Sequence, residues 1–405
     1  MKTMKPSDEA EVVAAILEAN VERRPLEIRG AGSKRAIGRP VEDAGLLNLS
    51  GLAGITLYEP DELVLSAGAG TPISKIHSAL AEKGQELAFE PMDYGPLFGR
   101  KRGAGTIGGA LAANLSGPRR IKAGAARDHF LGMKAVSGRG EAFKAGGRVM
   151  KNVTGYDLSK GVAGSWGTLV AMTEVTVKVM PRAETEASLV FLGLPDEAAS
   201  AAMSTALGSP FEISAAAHLP APSLSGLSLK AGLDVGKALT VLRIEGFAPS
   251  VANRVEATRA LLEAHGGAEL LTEAQSRALW LDIRDVKAFA GGETPVWRIS
   301  TAPTEGWKVA AAIARETEAR VTYDWGGGLI WLNLAESGDA GAALVRGALA
   351  RHGGHATLIR ASEDLRARVP VFQPQPRGLA VIAQRYKASF DPRGILNPGR
   401  MYEGM

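Results

Sequence analysis

The stretch GAGTIGGALAANLSGPRR, residues 103–120, decides the fold of this chain, because its first six letters match the dinucleotide pattern G-x-G-x-x-G. In a Rossmann domain a buried strand leads into the first glycine, and an acidic residue ends a second strand about twenty residues later. Here residues 91–102 read PMDYGPLFGRKR, and their prolines and glycines exclude a buried parallel strand. Asp128 has a suitable spacing but follows no apolar strand. The sequence therefore predicts that this loop is not a Rossmann turn.

Further glycine-rich turns lie at the ends of other predicted strands: RGAGSKRAIG (29–38), AGAG (67–70) and GSWGT (164–168). Glycine lacks a Cβ atom, so its backbone amide can approach an anion such as a pyrophosphate closely. Arg29 and Lys34 would add positive charge, although either side chain could simply be solvated. Taken singly, each turn is better explained by chain reversal than by ligand binding.

The composition excludes several classes of chemistry. The 405 residues include no cysteine, so disulfides, thiol catalysis, cysteinyl flavin linkage and iron–sulfur ligation by this chain are ruled out. The formal charge is +4, but the basic patches GRKRG (99–103) and GPRR (117–120) lack the interleaved aromatic residues of a nucleic-acid surface. No apolar stretch is long enough to span a bilayer, and we expect a cytoplasmic protein without a transmembrane segment.

The length and the pattern predict two domains and a C-terminal segment. A helix begins after Ser7, a small-residue helix is predicted at 109–117, strands at 26–29 and 167–181, and a hairpin at 129–147. Beyond Pro181 the chain becomes alanine-rich, and strands alternate with helices as in an α+β domain built on an antiparallel sheet. We assign the first domain to residues 1–182, the second domain to residues 183–370 and the C-terminal segment to residues 371–405.

The order of the glycine-rich turns and their neighbours resembles a known family. The segments PLEIRGAGSKRAIG (25–38), GTIGGALAANLSGPRRIKAGAARDHFLGMKAV (105–136), GGRVMKNVTGYDLSKGVAGSWGTLVAMTEVTVKV (146–179) and FDPRGILNPGRMY (390–402) are similar to those of the vanillyl-alcohol oxidase or PCMH-type FAD-binding family. The resemblance covers residues 1 to about 182 and the last thirty or so. It implies an α+β fold, in which a PCMH-type FAD-binding domain carries an α+β cap and the C-terminal segment returns to the FAD domain.

The resemblance also implies which residues hold FAD. The loop after residue 28 would hold the pyrophosphate, the second segment would follow the flavin and its ribityl chain, and Asn397 would return to the flavin. For Asp128 a structural role is as well supported as a role in binding the cofactor. The implied cofactor-binding residues are Arg29, Gly30, Ala31, Gly32, Ser33, Lys34, Pro91, Thr106, Ile107, Gly108, Gly109, Asn114, Ser116, Gly117, Asp128, Gly167, Val170 and Asn397. Family members with a covalent flavin usually carry a histidine where this chain has Ser33 and Lys34, so FAD is expected to be bound non-covalently.

Within that family the chain is most similar to the FAD-binding subunits of glycolate oxidases, which share KNVTGYDLSKGVAGSWGTL (151–169) and a compact cap. That resemblance implies oxidation of glycolate to glyoxylate. It also implies two partners, a larger homologous flavin subunit and an iron–sulfur subunit, through which the chain could sit peripherally at the inner membrane. The alternatives are a non-catalytic flavin-binding or scaffold subunit, and a same-fold oxidoreductase acting on another alcohol or 2-hydroxy acid.

Catalytic residues are harder to predict. Relatives that oxidise 2-hydroxy acids present clustered histidines, whereas this chain has six scattered ones and reads HATLIRA (355–361) where larger relatives read roughly GEHGIG. The HGGH sequence at 352–355 is a weak metal half-site, and no metal is expected. Arg298 in VWRIS and Arg360 in TLIRA interrupt apolar strands; each could face solvent, or could bind a substrate carboxylate through its planar guanidinium.

Overall fold

The computed structural model describes residues 2–42, 44–148, 155–227 and 236–405. Residues 149–154 of the segment that resembles the family lie outside this range. The N-terminal part contains strands and helices as follows: β1 (Thr3–Met4), α1 (Glu9–Glu22), β2 (Leu26–Arg29), β3 (Gly45–Asn48), β4 (Ile55–Glu59), β5 (Val64–Gly68), α2 (Ile73–Ala81), β6 (Gln85–Glu86), α3 (Ile107–Ala112), α4 (Arg120–Ala123), β7 (Phe130–Ser137), β8 (Ala142–Gly146), α5 (Leu158–Val162), β9 (Val170–Lys178) and β10 (Met180–Pro181).

Two sheets build this part. Strands β1, β3 and β2 pair in parallel in that order, and β4, β5, β9, β7 and β8 form an antiparallel sheet. The predicted hairpin at 129–147 is the pair β7–β8, and the predicted first helix is α1, whose N-cap Asp8 accepts a hydrogen bond from the Glu11 amide at 2.8 Å. A short 3₁₀ turn at Pro96–Phe98, not a strand, precedes Gly103. The absence of a Rossmann strand here agrees with the sequence.

The cap is one antiparallel sheet of eight strands, ordered β14-β11-β13-β12-β16-β17-β15-β18, with helices packed on it. Its elements and those that follow are β11 (Thr185–Leu192), α6 (Asp196–Leu207), β12 (Ala215–Leu219), β13 (Leu239–Gly246), α7 (Ala248–Leu261), β14 (Ala268–Leu271), α8 (Glu273–Arg284), β15 (Val296–Ser300), α9 (Gly306–Ala314), β16 (Ala319–Asp324), β17 (Leu329–Leu334), α10 (Ala342–His352), β18 (His355–Arg360), α11 (Glu363–Arg368) and α12 (Arg377–Phe390).

The C-terminal segment returns to the first part of the chain. Leu396 forms a parallel bridge with Leu26 at the edge of β2, and both side chains are buried in the same apolar cluster. The buried ammonium of Lys387 in α12 donates to Asp391 at 2.7 Å, to the Thr168 carbonyl at 2.7 Å and to the Leu396 carbonyl at 3.0 Å. This ion pair fixes the tail against the turn that precedes β9.

No helix among the described residues is long and apolar enough to cross a membrane.

Candidate functional site

A cleft of about 730 Å³ lies between the loop after β2, the start of α3 and the turn before β9. We call it the glycine-rich cleft. Eleven of the residues predicted to bind the cofactor line it, and they come from three separate segments of the chain. These are Arg29, Gly30, Ala31, Gly32, Ser33, Lys34, Thr106, Gly108, Gly109, Gly167 and Val170.

Glycine is required where the backbone segments of this cleft approach one another. A Cβ atom on Gly30 would lie 2.6 Å from Thr106 Oγ1, and one on Gly108 would lie 2.7 Å from the Ala69 Cβ and 2.8 Å from its carbonyl oxygen. Gly32 has φ of +77°, which side chains other than glycine rarely adopt. The cleft wall is therefore largely backbone, and its amide and carbonyl groups are accessible to a bound molecule.

The charges around the cleft favour an anion. Arg29, Lys34, Arg35 and Arg400 line it together with a single carboxylate, that of Glu27, among the residues the structure describes. Desolvation lowers the pKa of Lys34 to about 8, with Asp93 opposing the shift and Arg400 adding to it. The buried Nε of Arg400 has no hydrogen-bond partner in the described part of the chain. A pyrophosphate would neutralise this excess charge, so the cleft fits FAD.

Arg400 was missed by the sequence analysis. It lies three residues after Asn397 in FDPRGILNPGRMY, and its Nη2 donates to the Lys34 carbonyl at 2.8 Å. Desolvation lowers the pKa of this guanidinium to about 10. The only signal in the sequence was its place in the C-terminal segment that resembles the family.

Asn397 does not line the cleft but clamps its walls together. Its Oδ1 accepts from the Ile28 amide at 2.8 Å, and its Nδ2 donates to the Trp166 carbonyl at 2.9 Å. The side chain is 1% exposed. The predicted return of Asn397 to this region is therefore observed as a contact with the loop after β2 and with the turn at Trp166 and Gly167.

Three of the predicted cofactor-binding residues pack in other surroundings. Ile107 is buried in the apolar core, and Pro91 lines a different cavity beside His77 and Arg284. Gly117 packs against Glu90, and its carbonyl accepts from the Trp325 indole.

Asp128 and Arg360 do not fit the roles predicted from sequence. Asp128 accepts from the Ala125 amide at 2.8 Å and caps a 3₁₀ turn, so the structural interpretation of this residue is the better one. Arg360 donates to the carbonyls of Thr294, Leu97 and Phe289 at 2.7–2.8 Å. These bonds hold three loops together, and the prediction that Arg360 binds a substrate carboxylate is wrong because its donors point at backbone.

A second cavity lies between the glycine-rich cleft and the cap sheet. We call it the cap cavity. Ala113 and Trp166 line both spaces, so the two are adjacent and share a wall. Asn114 and Ser116, which were predicted to follow the flavin, line the cap cavity.

Strands β15 and β18 present polar side chains to the cap cavity. Arg298 pairs with Thr357 and Ser300 with His355, and all four line the cavity. Because side chains alternate across a strand, the residues between them face the other way. Trp297, Ile299, Ala356 and Leu358 are indeed buried in the apolar cluster on the opposite face. The alternation of polar and apolar residues is visible in the sequences VWRIS and HATL. It does not indicate which face of a short strand lines a binding site.

Arg298 is the polar residue at the centre of this face. It has no hydrogen-bond acceptor or ion-pair partner among the described residues, and its Cζ lies 5.1 Å from the centre of the Trp325 ring. Desolvation lowers the pKa of Arg298, whereas Tyr94 opposes that shift. An unpaired guanidinium that lines a cavity suits an anionic ligand.

The two histidines of HGGH are separated in the structure. His352 pairs with Glu305 at 2.9 Å outside the cavity, whereas His355 lines it. Desolvation lowers the pKa of His355, and Arg298, Arg120 and Arg346 lower it further, so its imidazole is neutral at pH 7. No cluster of metal-ligating side chains occurs in the described ranges. Apart from the weak metal half-site, no role was predicted for His355, because the surrounding motif differs from that of the larger relatives.

Four non-glycine residues with positive φ lie in or beside the two cavities. Asn114, Trp166, Trp325 and Asn397 all have φ between +43° and +55°. Bulky residues rarely adopt this conformation. Six other non-glycine residues of the described chain that share it lie elsewhere.

Comparisons with known proteins agree with this location. The sequence profile of a family described as "FAD binding domain" matches residues 2–146. The chain is 35% identical to "Glycolate oxidase subunit GlcE" of Escherichia coli (strain K12), over 95% of each chain. It is 24% identical to "Glycolate oxidase subunit GlcD" of Bacillus subtilis (strain 168), over 98% of this chain and 88% of that relative.

Solved structures share the fold. The 4-ethylphenol oxidase of Gulosibacter chungangensis matches 99% of this chain and 89% of its own, with a TM-score of 0.74 and 14% identity. A substrate-bound p-cresol methylhydroxylase matches 99% of this chain and 88% of its own, also with a TM-score of 0.74 and with 13% identity. The predicted α+β, PCMH-type fold with an antiparallel cap is confirmed.

Proposed function

The chain belongs to the family of FAD-dependent oxidoreductases that includes the glycolate oxidase subunit GlcE, and from this premise we propose that it is the FAD-binding subunit of a glycolate-oxidising complex. Its cofactor is FAD, which we propose is bound non-covalently in the glycine-rich cleft. The proposed substrates are small 2-hydroxy acids, with glycolate oxidised to glyoxylate.

The observation that carries this proposal is the adjacency of the two cavities. The cleft suits the pyrophosphate of FAD, and at Ala113 and Trp166 it shares a wall with a cavity whose cap side carries Arg298 and His355. A flavin bound across this boundary would meet a substrate under the cap. The flavin supplies hydride acceptance, and the protein must orient the substrate and take its hydroxyl proton.

The residues of the cap sheet are suited to those two tasks. Arg298 would bind the carboxylate of the substrate, because its guanidinium is unpaired and faces the cavity. His355 would take the hydroxyl proton, because its lowered pKa leaves the imidazole free to accept one. Ser300 and Thr357 lie beside them on the same sheet face and can orient either the acid or the imidazole.

The resemblance also supports a multi-subunit assembly. We propose a larger homologous flavin subunit and an iron–sulfur subunit as partners, since this chain has no cysteine with which to carry electrons through an iron–sulfur cluster. The assembly would lie in the cytoplasm or at the inner face of the membrane through its partners.

A visible spectrum of the purified chain, reconstituted with FAD, tests the proposal. We expect a flavin band that bleaches when glycolate is added without oxygen. Absence of any flavin band after reconstitution would refute FAD binding in the cleft. A band that bleaches only after the partner subunits are added would place the oxidation on the partner.

The variant Arg298→Met tests the role of the cap sheet. Loss of a charge-assisted contact should raise the KM for glycolate by roughly tenfold to a hundredfold. Arg127→Met is the matched control. The Arg127 side chain is exposed, its Nε lies 3.6 Å from Asp128 Oδ1, and it does not line the cavity. An unchanged KM in Arg298→Met would contradict the proposed carboxylate site.

A further inference from the structure

Tyr94 carries an unpaired hydroxyl group into the cap cavity. Its side chain is 2% exposed and lines the cavity. The phenol oxygen has no hydrogen-bond partner in the described part of the chain, and it is not sealed within the core. Buried tyrosine hydroxyls usually form a hydrogen bond, so the missing partner of Tyr94 would be a molecule in the cavity.

The loop that carries Tyr94 is fixed on both sides of that residue. The Asp93 amide donates to Oδ1 of Asp285, which follows α8 of the cap, at 2.9 Å. The Asp93 carboxylate in turn accepts from the amides of Gly95 at 2.8 Å and Gly103 at 2.5 Å. These contacts tie the loop to the cap and to itself, so the hydroxyl is held in position before a ligand arrives.

Trp331 in β17 places Tyr94 beside Arg298. The rings of Tyr94 and Trp331 meet edge to face, with their centres 6.5 Å apart and their planes at 74°. Trp331 lies directly opposite Arg298 in the register of β15 and β17, and residues opposite each other project from the same face of a sheet. Tyr94 and Arg298 therefore approach the cap cavity from neighbouring positions, one from the N-terminal part of the chain and one from the cap.

Both side chains offer hydrogen-bond donors to the cavity. Desolvation raises the pKa of Tyr94 to about 12, although Arg298 opposes the shift, so the phenol keeps its proton at neutral pH. The described lining of the cavity contains no aspartate or glutamate that could accept these bonds. A carboxylate fits this pair, because its two oxygens accept hydrogen bonds from separate donors.

We propose that Tyr94 is a second residue that binds the carboxylate of the substrate, with its hydroxyl donating to one oxygen while the Arg298 guanidinium binds the other. This inference rests on the proposed function and adds to it a substrate contact from outside the cap. Tyr94 belongs to PMDYGPLFGRKR, residues 91–102, so the segment that cannot be a Rossmann strand supplies part of the substrate site.

The variant Tyr94→Phe tests the inference, because it removes the hydroxyl and keeps the ring against Trp331. The rate of anaerobic bleaching of the FAD-loaded chain is measured at increasing glycolate concentrations. Loss of a hydrogen bond to a charged group should raise the half-saturating concentration by roughly tenfold to a hundredfold. The limiting rate should stay nearly unchanged, since the carboxylate is not the reacting centre. The melting temperature and the Kd for FAD should match those of the native chain.

Tyr386→Phe is the matched control. Tyr386 is a half-buried residue of α12 that lines neither the glycine-rich cleft nor the cap cavity, so this variant should have the half-saturating concentration of the native chain. Tyr94→Phe is also combined with Arg298→Met. Because both side chains bind one carboxylate, the combined variant should lose less affinity than the product of the two single losses.

Other results would overturn the inference. An unchanged half-saturating concentration in Tyr94→Phe, with the native chain bleached by glycolate, would refute the contact and leave the proposed function intact. A lower limiting rate at an unchanged half-saturating concentration would place Tyr94 at the reacting atoms rather than at the carboxylate. Single losses that multiply in the combined variant would assign the two residues to separate groups. Failure of glycolate to bleach the native chain would refute the proposed function first, and this inference with it.

Discussion

At the scale of single residues, Lys34 links cofactor binding to pH. Desolvation lowers its pKa to about 8 in the absence of an anion, and a pyrophosphate beside it would raise that pKa again. FAD therefore binds the protonated form more tightly. We expect the Kd for FAD to be constant below pH 8 and to rise above it, by at most about tenfold per pH unit. Fluorescence quenching of FAD between pH 6 and 10 measures this dependence.

The variant Lys34→Met provides the control for that measurement. It should bind FAD more weakly, by roughly tenfold or more, and its Kd should no longer rise above pH 8. Lys75→Met changes an exposed lysine of α2 that lines none of the cavities described above and should behave like the native chain. If the Kd of Lys34→Met for FAD still rose above pH 8, the titrating group would be a residue other than Lys34.

Single residues also show where sequence reasoning ends. The loop from Arg29 to Lys34, predicted to hold the pyrophosphate, lines the cleft, and glycines next to a strand carry the local information for such a turn. Arg298 and Arg360 looked equivalent in the sequence, since each interrupts an apolar strand. Only the tertiary contacts separate them: Arg298 faces a cavity, whereas Arg360 donates to three backbone carbonyls.

At the scale of elements, the contact between α3 and the end of β5 shapes the cleft. A methyl group on Gly108 would meet the backbone and Cβ of Ala69 at 2.7–2.8 Å, and neither can move without displacing the strand. We expect Gly108→Ala to displace α3, to lower the stability by about 1–3 kcal/mol and to weaken FAD binding. Thermal melting and FAD titration measure the two effects.

Gly105→Ala is the matched control in the same loop. Its added methyl group would lie 3.4 Å from Ile73 Cδ1, an ordinary contact. It should therefore melt and bind FAD like the native chain. If Gly108→Ala also behaved like the native chain, the close approach of α3 to β5 would have no bearing on the cleft.

The limits of α3 were the least accurate prediction among the elements. The sequence predicted a small-residue helix at 109–117, but the helix spans Ile107–Ala112. Thr106 caps it, with Oγ1 accepting from the Gly109 amide at 3.3 Å, and Asn114 ends it with φ of +48°. The periodicity of small residues does not reveal either signal.

At the scale of the whole molecule, a buried ion pair joins the first part of the chain to the cap. Arg243 in β13 donates two hydrogen bonds to Glu90, at 3.0 and 2.9 Å, and Arg119 also contacts that carboxylate. Burial would raise the pKa of Glu90, but Arg243 and Arg119 outweigh it and lower the pKa to about 2. No sequence pattern predicted this contact, because its partners lie 153 residues apart.

This contact makes stability depend on pH. A carboxyl group whose pKa is lowered by folding stabilises the fold above its unfolded pKa, and that contribution is lost as pH falls toward the folded value. Glu90 should therefore contribute about 3 kcal/mol to the free energy of unfolding at pH 6, and this contribution should decline between pH 5 and pH 2. Urea unfolding at pH 6 and pH 3 measures the difference in free energy of unfolding between the native chain and Glu90→Gln. This difference should be smaller at pH 3.

Glu212→Gln is the control for the same series. Glu212 pairs with Lys122 at 2.9 Å, but both side chains are about half exposed or more. Such an exposed ion pair contributes about 0–1 kcal/mol to the free energy of unfolding. A pH dependence in Glu212→Gln that equals that of Glu90→Gln would show that the buried position of Glu90 has no special effect.

The clamp made by Asn397 has a consequence for synthesis. Ile28 and Asn397 are separated by 369 residues, and both must be in place before the loop after β2 is held against the turn at Trp166. A ribosome delivers residue 28 long before residue 397, so a nascent chain emerges with its cleft unfinished. FAD should therefore bind only after the chain has left the ribosome. A chain truncated before residue 397 should bind no FAD and should be colourless when purified.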